Sequence, residues 1–403
     1  MELFWLEHKK LWRKKIVKIC VLLCFVYYVI FGSILSFQWF SFGSSDDYTS
    51  AFGNNFDGYT VIKDSQEYAL SFGGELTDET LQQIVSDYQQ MEADGMEEEL
   101  EKTDWRIVNS WLGTLYPELR DTSNYKTMIS YVDPDKLTGF YERRQQVLDE
   151  FLEVSGQVGA EKEFLHQIER KVEKPFHYEW VEGWSTLLGS TVADLGVVMA
   201  LFLGIVLSSL FAGEWHDNTS TLVLTTRNGW GKIALAKILT GLAFTVELFA
   251  LLAVSSVISQ LFFMGTAGWD MPIQNIKLIA VAPMNMLQAE IYEYAFVLLG
   301  AIGFAGIVMF ISAAVKNNVL TLLLSLAVVY GPMMIAEYLP YEMQKALDLI
   351  PLVGSSTDIF RTNTFRIFGK LIWSPYLLIT IPVLIGILCM PFAIKSWSRR
   401  MKA

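Results

Sequence analysis

The chain has 403 residues, of which 52% are hydrophobic and 18% are charged, and its mean hydropathy is +0.33. Soluble globular domains carry about 25% charged residues, so this deficit indicates a membrane protein, and the apolar content excludes a disordered chain. The formal net charge of −12 argues against nucleic-acid binding, which needs basic side chains to neutralise phosphates, and three cysteines in apolar runs rule out a disulfide scaffold.

The acidic charge is concentrated in one segment. Residues 41–185 hold 30 acidic and 12 basic side chains, whereas the rest of the chain holds 13 acidic and 19 basic side chains. This distribution predicts a hydrophobic, mildly basic membrane body that carries one acidic, water-soluble insert.

The N-terminal residues 1–15 combine apolar and basic side chains in a pattern typical of a helix that lies in the membrane interface. Residues 16–40 follow as an apolar run long enough to cross a bilayer, which takes roughly 20 residues. The run is longer than the core of a signal peptide, about 7–15 residues, and no clear cleavage site follows it. We therefore predict a retained membrane anchor.

The predicted insert, residues 41–186, is long enough to fold around a core of its own. Glycine, asparagine, aspartate and aromatic residues at 46–68 favour short strands and turns. Residues 77–95 and 136–174 show helical patterns, the first with Thr77 as its N-cap. These patterns predict a mixed α+β domain.

Five further apolar runs follow the insert. They cover residues 187–212, 233–264, 292–315, 319–338 and 373–394. Each run is too continuously apolar for an amphipathic surface helix, which would show one polar stripe. The predicted fold is mainly α: a polytopic membrane protein with six transmembrane helices, an interfacial N-terminal helix and a mixed α+β extracellular domain between helices 1 and 2.

Lysine and arginine residues flank the first and the last span. Because basic flanks mark the cytoplasmic side, we expect a multi-pass protein of the bacterial cell membrane whose two termini, including the tail 395–403, are cytoplasmic. Loop 213–232 then lies in the cytosol, and the insert lies outside. Residues 339–372 also fall outside, but four basic side chains there run against the rule and favour an interfacial or re-entrant segment.

No pattern of catalytic or metal-binding residues is evident. The four histidines lack metal-ligand spacing, and the HExxH and GxSxG motifs are absent. Residues 228–232 superficially resemble a phosphate loop, but Thr226 stands where a Walker A motif needs glycine. We expect no catalytic residue, metal site or cofactor on this chain. An intramembrane enzyme is the least favoured class because no histidine lies within the six runs.

Two acids stand out within the apolar runs. Glu247 lies well inside the third run, and Asp194 lies near the outer boundary of the second. A polar residue inside a span is a candidate for a substrate path or a proton relay. The alternative for Glu247 is a structural hydrogen bond between packed helices or a protonated side chain, and the alternative for Asp194 is a position at the outer boundary without a functional role.

The loop after the second run has an ordered set of polar and apolar residues. An acid ends the span, a threonine opens a leucine-rich segment, and basic residues lead into the third span. The residues in this order are Glu214, Thr219, Leu222, Leu224, Arg227, Lys232 and Lys237. Together with six spans, cytosolic termini and a large outside insert, this order resembles the ABC-2 family of ATP-binding-cassette transporter permeases. It is similar in type to the permeases for export of, or immunity to, antimicrobial peptides such as bacitracin and lantibiotics.

The resemblance implies that the chain is the membrane-spanning permease subunit of a bacterial ABC exporter. It implies a separate ATPase subunit that holds ATP and Mg on the cytosolic face, a second permease chain in a homodimer or heterodimer, and contact with membrane lipids. The implied substrate is amphiphilic, either a peptide antibiotic or a lipid-like molecule, and residues of the loop from Glu214 to Lys232 would couple ATP hydrolysis to the spans.

The residues of the loop themselves allow this role. Thr219 can cap a short helix, and Leu222 and Leu224 can present an apolar face to a groove in a soluble partner. Arg227 can meet acids on that partner or anionic lipid heads. A plain linker with cytosolic basic charge is the alternative for the loop. For the whole chain, the alternative is a non-transporting membrane sensor or assembly protein whose outside domain binds a ligand.

Overall fold

The structure is a computed structural model that describes residues 2–31, 62, 66, 73–96, 106–121, 126–217, 219, 231–354, 360 and 362–399. Among these residues, five helices are long and apolar enough to cross a membrane. The chain is therefore a mainly helical, multi-pass membrane protein, as its composition predicted.

In chain order, the helices and strands are α1 (Glu2–Arg13), α2 (Lys15–Val26), β1 (Gly74–Leu76), α3 (Asp78–Ala93), α4 (Arg106–Leu115), α5 (Phe140–Val154), α6 (Ala160–Glu169), β2 (Phe176–Tyr178), α7 (Glu182–Thr186), α8 (Val192–His216), α9 (Lys232–Met264), α10 (Met286–Ala314), α11 (Asn318–Ile335), α12 (Tyr341–Leu347), β3 (Thr364–Ile367), β4 (Lys370–Trp373) and α13 (Ser374–Arg399). Two π-helical turns, Tyr27–Phe31 and Leu187–Thr191, extend α2 and α7. The five candidate membrane-crossing helices are α8 to α11 and α13.

The bundle has two distinct ends. At one end, α1 packs on the first half of α9 and on the last turn of α8, and the last turn of α13 joins them. We call this end the terminal face. At the opposite end, which we call the insert face, the described residues between 73 and 178 pack against the loop 265–285 between α9 and α10.

Helix α2 runs beside the five candidate spans. Its buried residues Val17, Cys20 and Cys24, followed by Tyr28, recur every three or four positions, as they do on one buried face of a helix. The Ser259 hydroxyl of α9 donates to the Tyr28 carbonyl at 3.3 Å, so the chain has reached the insert side of α9 at this point. The rest of the predicted first span, residues 32–40, lies outside the described residues.

Two helices begin at places that differ from the predicted spans. Helix α10 begins at Met286 rather than at 292, because Asn285 and Gln288 form a capping box. Helix α8 begins at Val192, after the π-helical turn, and continues to His216. It therefore takes in the first residues of the predicted loop 213–232.

Helix α10 lies at the centre of the bundle and crosses α13 with almost no side chain between the two backbones. At Gly303 and Gly306 of α10 and at Gly386 of α13, an added Cβ would collide with the backbone of the other helix. Small residues permit such close approach in membranes, where dispersion contacts between helices replace the hydrophobic effect.

The segment after α11 packs back onto the bundle. Residues 339–372 contain α12 and the antiparallel hairpin of β3 and β4. Between them, Leu352 and Val353 are buried in the same core as the membrane-crossing helices, and Leu352 lies against Gly300 of α10. The segment thus enters the apolar bundle from the insert face.

The insert folds around one antiparallel strand pair, β1 with β2, and the helices α3 to α6. Thr77 caps α3 by accepting a hydrogen bond from the Thr80 amide at 3.2 Å. The insert is then fastened to the bundle by long-range hydrogen bonds. The Trp180 indole donates to the Met264 carbonyl at the end of α9 at 3.0 Å, and the guanidinium of Arg144 donates to carbonyls of the loop 265–285.

Candidate functional site

Glu214 occupies an unusual position in the last turn of α8. The carboxylate faces the negative end of the helix dipole, which disfavours an acid at a helix C-terminus. Its side chain is also only 4% exposed. A buried anion needs cationic partners, so the surroundings of Glu214 show what this turn is built to hold.

Two lysines from different helices meet the Glu214 carboxylate. The Lys237 ammonium of α9 lies 2.8 Å from Glu214 Oε1, and the Lys10 ammonium of α1 lies 2.5 Å from the same oxygen. The other oxygen, Oε2, accepts a hydrogen bond from the Thr219 hydroxyl at 2.5 Å. One acid thus joins α1, α8, α9 and the start of the loop that follows α8.

The ion pairs continue onto α1. The Lys237 ammonium also lies 2.8 Å from Glu7 Oε2, so Glu7, Lys237, Glu214 and Lys10 alternate in charge and sum to zero. Lys237 is 2% exposed, whereas Lys10 is 51% exposed, so the network runs from the interior to the surface. We call these four residues with Thr219 the Glu214 network.

The network affects the lysines of the N-terminal segment in opposite ways. Burial alone would lower the pKa of Lys10, but the hydrogen bond and the charge of Glu214 outweigh burial and raise the pKa above its ordinary value. For Lys14, burial lowers the pKa, and repulsion from Lys237 and Lys10 adds to this effect. Lys14 donates to the Ser209 hydroxyl at 2.9 Å, which places it beside α8, where Asp217 and Glu214 attract it only weakly.

A second contact anchors α1 further along α9. The Trp12 indole donates to Glu247 Oε2 at 3.0 Å, and His8 Nε2 lies 3.2 Å from Glu247 Oε1. Residues 8 and 12 are four apart, so both side chains reach α9 from one face of α1. Glu247 therefore contacts the N-terminal helix α1, and its side chain is 42% exposed. The sequence had predicted an acid well inside an apolar run, so neither this contact nor this exposure was expected.

The next residue of α8 contacts the remaining elements of the terminal face. The Lys316 ammonium lies 4.4 Å from the ring centre of Trp215, and the Trp397 ring of α13 lies 6.2 Å from it. The Ser312 hydroxyl of α10 donates to the Ser208 carbonyl at 2.7 Å. The last turns of α8 therefore contact α1, α9, α10 and α13 together.

The predicted coupling residues have different positions in the structure. Glu214 and Thr219 meet in the Glu214 network, and Lys232 is exposed at the first turn of α9. Leu222, Leu224 and Arg227 lie outside the described residues.

The predicted intramembrane acids do not lie together. Asp194, in the first turn of α8, is an exposed residue that accepts a hydrogen bond from the Tyr27 hydroxyl. Two buried acids of α10 were not among the predicted site residues: Glu290 lies before the predicted start of the span at Tyr292, and Glu293 lies in its first turn. The capping pattern of Asn285 and Gln288 ahead of an apolar run could have revealed the earlier start.

The Glu214 network consists of ion pairs and hydrogen bonds that hold α1, α8 and α9 together. Within the described ranges, no group of three histidine, cysteine, aspartate or glutamate side chains is placed to hold a metal ion. No family model, curated protein or solved structure matches this chain. The functional proposal therefore rests on two things: the resemblance of residues 214–237 to a permease loop, and the geometry of the terminal face.

Proposed function

We propose that the chain is the membrane-spanning permease subunit of an ABC exporter, driven by ATP hydrolysis on a separate subunit that docks at the terminal face. The Glu214 network is the observation that supports this proposal best. A partner bound to the loop after α8 would pull on Thr219, and this residue is hydrogen-bonded to the acid that joins α1, α8 and α9.

The Glu214 network is better suited to pass a movement of the loop on to α1 and α9 than to hold these helices rigidly together. Lys237 already divides its hydrogen bonds between Glu7 and Glu214, so it can keep one partner while the other moves away. Buried ion pairs are weak sources of stability because desolvation offsets the Coulomb attraction, yet they define which groups come together. A displacement of the loop would thus change the pairing and shift α1 relative to α9.

The proposed substrate is an amphiphile, either a peptide antibiotic or a lipid-like molecule, moved from the cytoplasmic to the outer side by a dimer of permease chains. Lysine and arginine on both flanks of the membrane body support the placement of the terminal face in the cytosol. The apolar surfaces of α8 to α11 and α13 would offer an amphiphile a path along the bundle.

The test begins with the partner. The full chain is purified from its native membranes in mild detergent and irradiated with an azido analogue of ATP. We expect a cross-linked protein other than this chain, together with ATP hydrolysis in the purified complex. The proposal is wrong if the chain alone accounts for all bound nucleotide or if no ATP hydrolysis accompanies it.

The second step separates coupling from assembly. The variant that combines Glu214→Ala with Arg227→Glu is expected to keep the ATPase subunit bound while hydrolysis no longer responds to substrate. Lys395→Met, which removes an exposed cation of the last helix, serves as the matched control and should behave as the wild type. Wild-type coupling in the double variant would refute the role of the network.

A specific observation also favours the second candidate, a non-transporting sensor. A cavity of about 620 Å³ lies between the insert and the loop 265–285, with Lys171, His177, Glu179 and Asp270 among its walls. Cavities of roughly 300–1,000 Å³ hold small ligands. A sensor would bind its ligand there without movement of an amphiphile across liposomes, whereas the exporter moves it when ATP is supplied.

A further inference from the structure

Two glutamates are buried side by side in the membrane-crossing helix α10 near the insert face. Glu290 and Glu293 are one helical turn apart and are 3% and 0% exposed. The Glu293 carboxyl group has no hydrogen-bond partner among the described residues, and the described hydroxyl that reaches Glu290 is that of Tyr294 on the same helix. An ionised carboxylate without a partner is strongly disfavoured in such a place, and two adjacent ones repel each other as well.

The surrounding helices supply no cation for this pair. The described basic side chains of the helices in the bundle lie toward the terminal face: Lys15 and Lys18 of α2, His216 of α8, Lys232 and Lys237 of α9, and Lys395 of α13. Helices α7, α10 and α11 contain no lysine, arginine or histidine. The buried cation of the insert, Arg144, is paired with Glu169.

Tyrosine and serine hydroxyls from neighbouring elements lie near the acids. The Tyr294 hydroxyl is an electrostatic neighbour of both glutamates and lies 2.7 Å from the Ser256 hydroxyl of α9. The Tyr28 hydroxyl is next to Tyr294; it is 2% exposed and has no hydrogen-bond partner among the described residues. Hydroxyl groups of tyrosine and serine thus lie between α9, α10 and the π-helical turn after α2.

On the described helices that pack against α10 near the insert face, the other charged residues are acids; the loop 265–285 carries Asp270 and the exposed Lys277, and Lys345 of α12 is paired with Glu342. Asp194 of α8 is a neighbour of Tyr28, and Glu182 lies in α7. Ser256 and Ser259 face the interior from α9 and do not titrate. Among the described residues, acids, tyrosines and serines therefore lie next to Glu290 and Glu293, and no described cation is paired with either carboxyl group.

We propose that Glu290 and Glu293 form a proton-binding site inside the bundle, loaded in the arrangement described here and emptied when water enters. On loading, a proton from water forms an O–H bond with a carboxylate oxygen, and on release it returns to water. A proton needs no further ligands, whereas a metal ion needs about four to eight. Among the described side chains, no third acid, histidine or cysteine is placed to join the pair around a metal.

The site has a built-in route to release. The hydrogen bond between Tyr294 and Ser256 joins α10 to α9 beside the acids, so separation of these helices would break it and admit water. Hydration then stabilises the ionised carboxylates, and the protons leave. Proton binding and helix separation are thus linked, and each changes the equilibrium of the other. This linkage does not depend on the proposed export by an ATPase.

The first test uses dicyclohexylcarbodiimide, an apolar reagent that adds to protonated carboxylic acids. The full chain in liposomes is treated at neutral pH, and the labelled peptides are identified by mass spectrometry. We expect label on Glu290 or Glu293, less label in E290Q or E293Q, and none in this peptide of the double variant. The control E337Q, which removes an exposed acid at the end of α11, should label as the wild type does.

A second measurement needs no variant. The infrared spectrum of the wild type at neutral pH should show the carbonyl band of a protonated carboxylic acid, and this band should weaken as the pH rises. Absence of both the band and the label at neutral pH would overturn the proposal, as would their persistence in the double variant.

Different salts distinguish a proton from other cations. The labelling is repeated at constant ionic strength with sodium, potassium or tetramethylammonium chloride. Equal labelling in all three salts supports a proton site. Loss of label in only one salt would mean that the carboxylates bind that cation, and the assignment of a proton would be wrong.

Discussion

Each face of the molecule is held together by one buried charged residue, Arg144 at the insert face and Glu214 at the terminal face, and the partners of the two residues differ. Arg144 donates to the Glu169 carboxylate at 2.5 Å and to the carbonyls of Leu278 and Ala280 at 2.7 and 3.2 Å. Glu214 is held by the flexible side chains of Lys10 and Lys237. Backbone carbonyls in an ordered loop keep their positions, whereas lysine side chains can exchange partners.

The loop on the insert face is itself fixed by internal hydrogen bonds. The Gln274 amide donates to the carbonyls of Ala280 and Ala282 at 2.9 and 3.0 Å, and the Asn275 amide donates to the His177 carbonyl at 2.9 Å. We infer that the insert moves as one body with the ends of α9 and α10. Relative movement is expected at the terminal face, where α1 meets α8 and α9.

The largest expected effect comes from Arg144→Met. The variant leaves Glu169 with Lys174 alone and the Leu278 carbonyl without its donor, while the Ala280 carbonyl keeps the Gln274 amide as its other donor. Removal of one partner from a buried ion pair costs about 3–5 kcal/mol. We expect a lower thermal midpoint by tryptophan fluorescence and faster proteolysis of the insert. Arg170→Met, at an exposed ion pair of the same domain, should change neither, and equal effects of the two variants would contradict the rigid dock.

A smaller effect is expected for Glu214→Gln. Lys237 keeps Glu7 as a partner, and Lys10 is half exposed and can turn to water. Loss of charge-assisted hydrogen bonds costs about 1.5–3 kcal/mol. The double variant Glu214→Gln with Lys237→Met should lose less than the sum of the two single changes, measured by the shift of the thermal midpoint. Strict additivity would show that the two residues do not act together.

The pH dependence of the thermal stability of the insert tests the ion pairs of Glu169. Burial alone would raise the pKa of Glu169, but the ion pairs with Lys174 and Arg144 outweigh it and hold the pKa below its ordinary value. A lowered pKa in the folded state contributes stability that is present above the unfolded value of 4.5 and is lost as the pH falls through the folded value. The thermal midpoint of the wild type should therefore fall in acid more steeply than that of Glu169→Gln. Parallel curves would mean that the pair does not stabilise the dock.

The sequence predicted local structure better than the partners of individual charges. An apolar run predicted a helix at 233–264, and α9 covers Lys232–Met264, because hydrophobicity along one segment is enough to define a membrane-crossing helix. The start of α10 was predicted at Tyr292 rather than at Met286, because the charged residue Glu290, which α10 buries, interrupts the apolar run. The pairing of Lys237 with Glu7 joins residues far apart in the chain, and neither periodicity nor spacing could reveal it.

The smallest expected effect is that of Glu247→Gln. This variant tests whether the contact of Glu247 with His8 and Trp12 stabilises the packing of α1 at the terminal face. Glu247 is 42% exposed, and solvent screens its interaction with His8, so the variant should cost less than about 1 kcal/mol. The glutamine side chain can still accept the hydrogen bond from the Trp12 indole, which keeps α1 seated on α9. Trp12→Ala removes that hydrogen bond and the ring contact with Phe244 at 5.8 Å, so it should destabilise the terminal face more than Glu247→Gln does. Thermal midpoints of the two variants in the same detergent decide the order. If Glu247→Gln has the larger effect, the charge of Glu247 rather than the packing of Trp12 holds α1 on α9. The proposed contrast between a fixed insert face and a mobile terminal face would then be wrong.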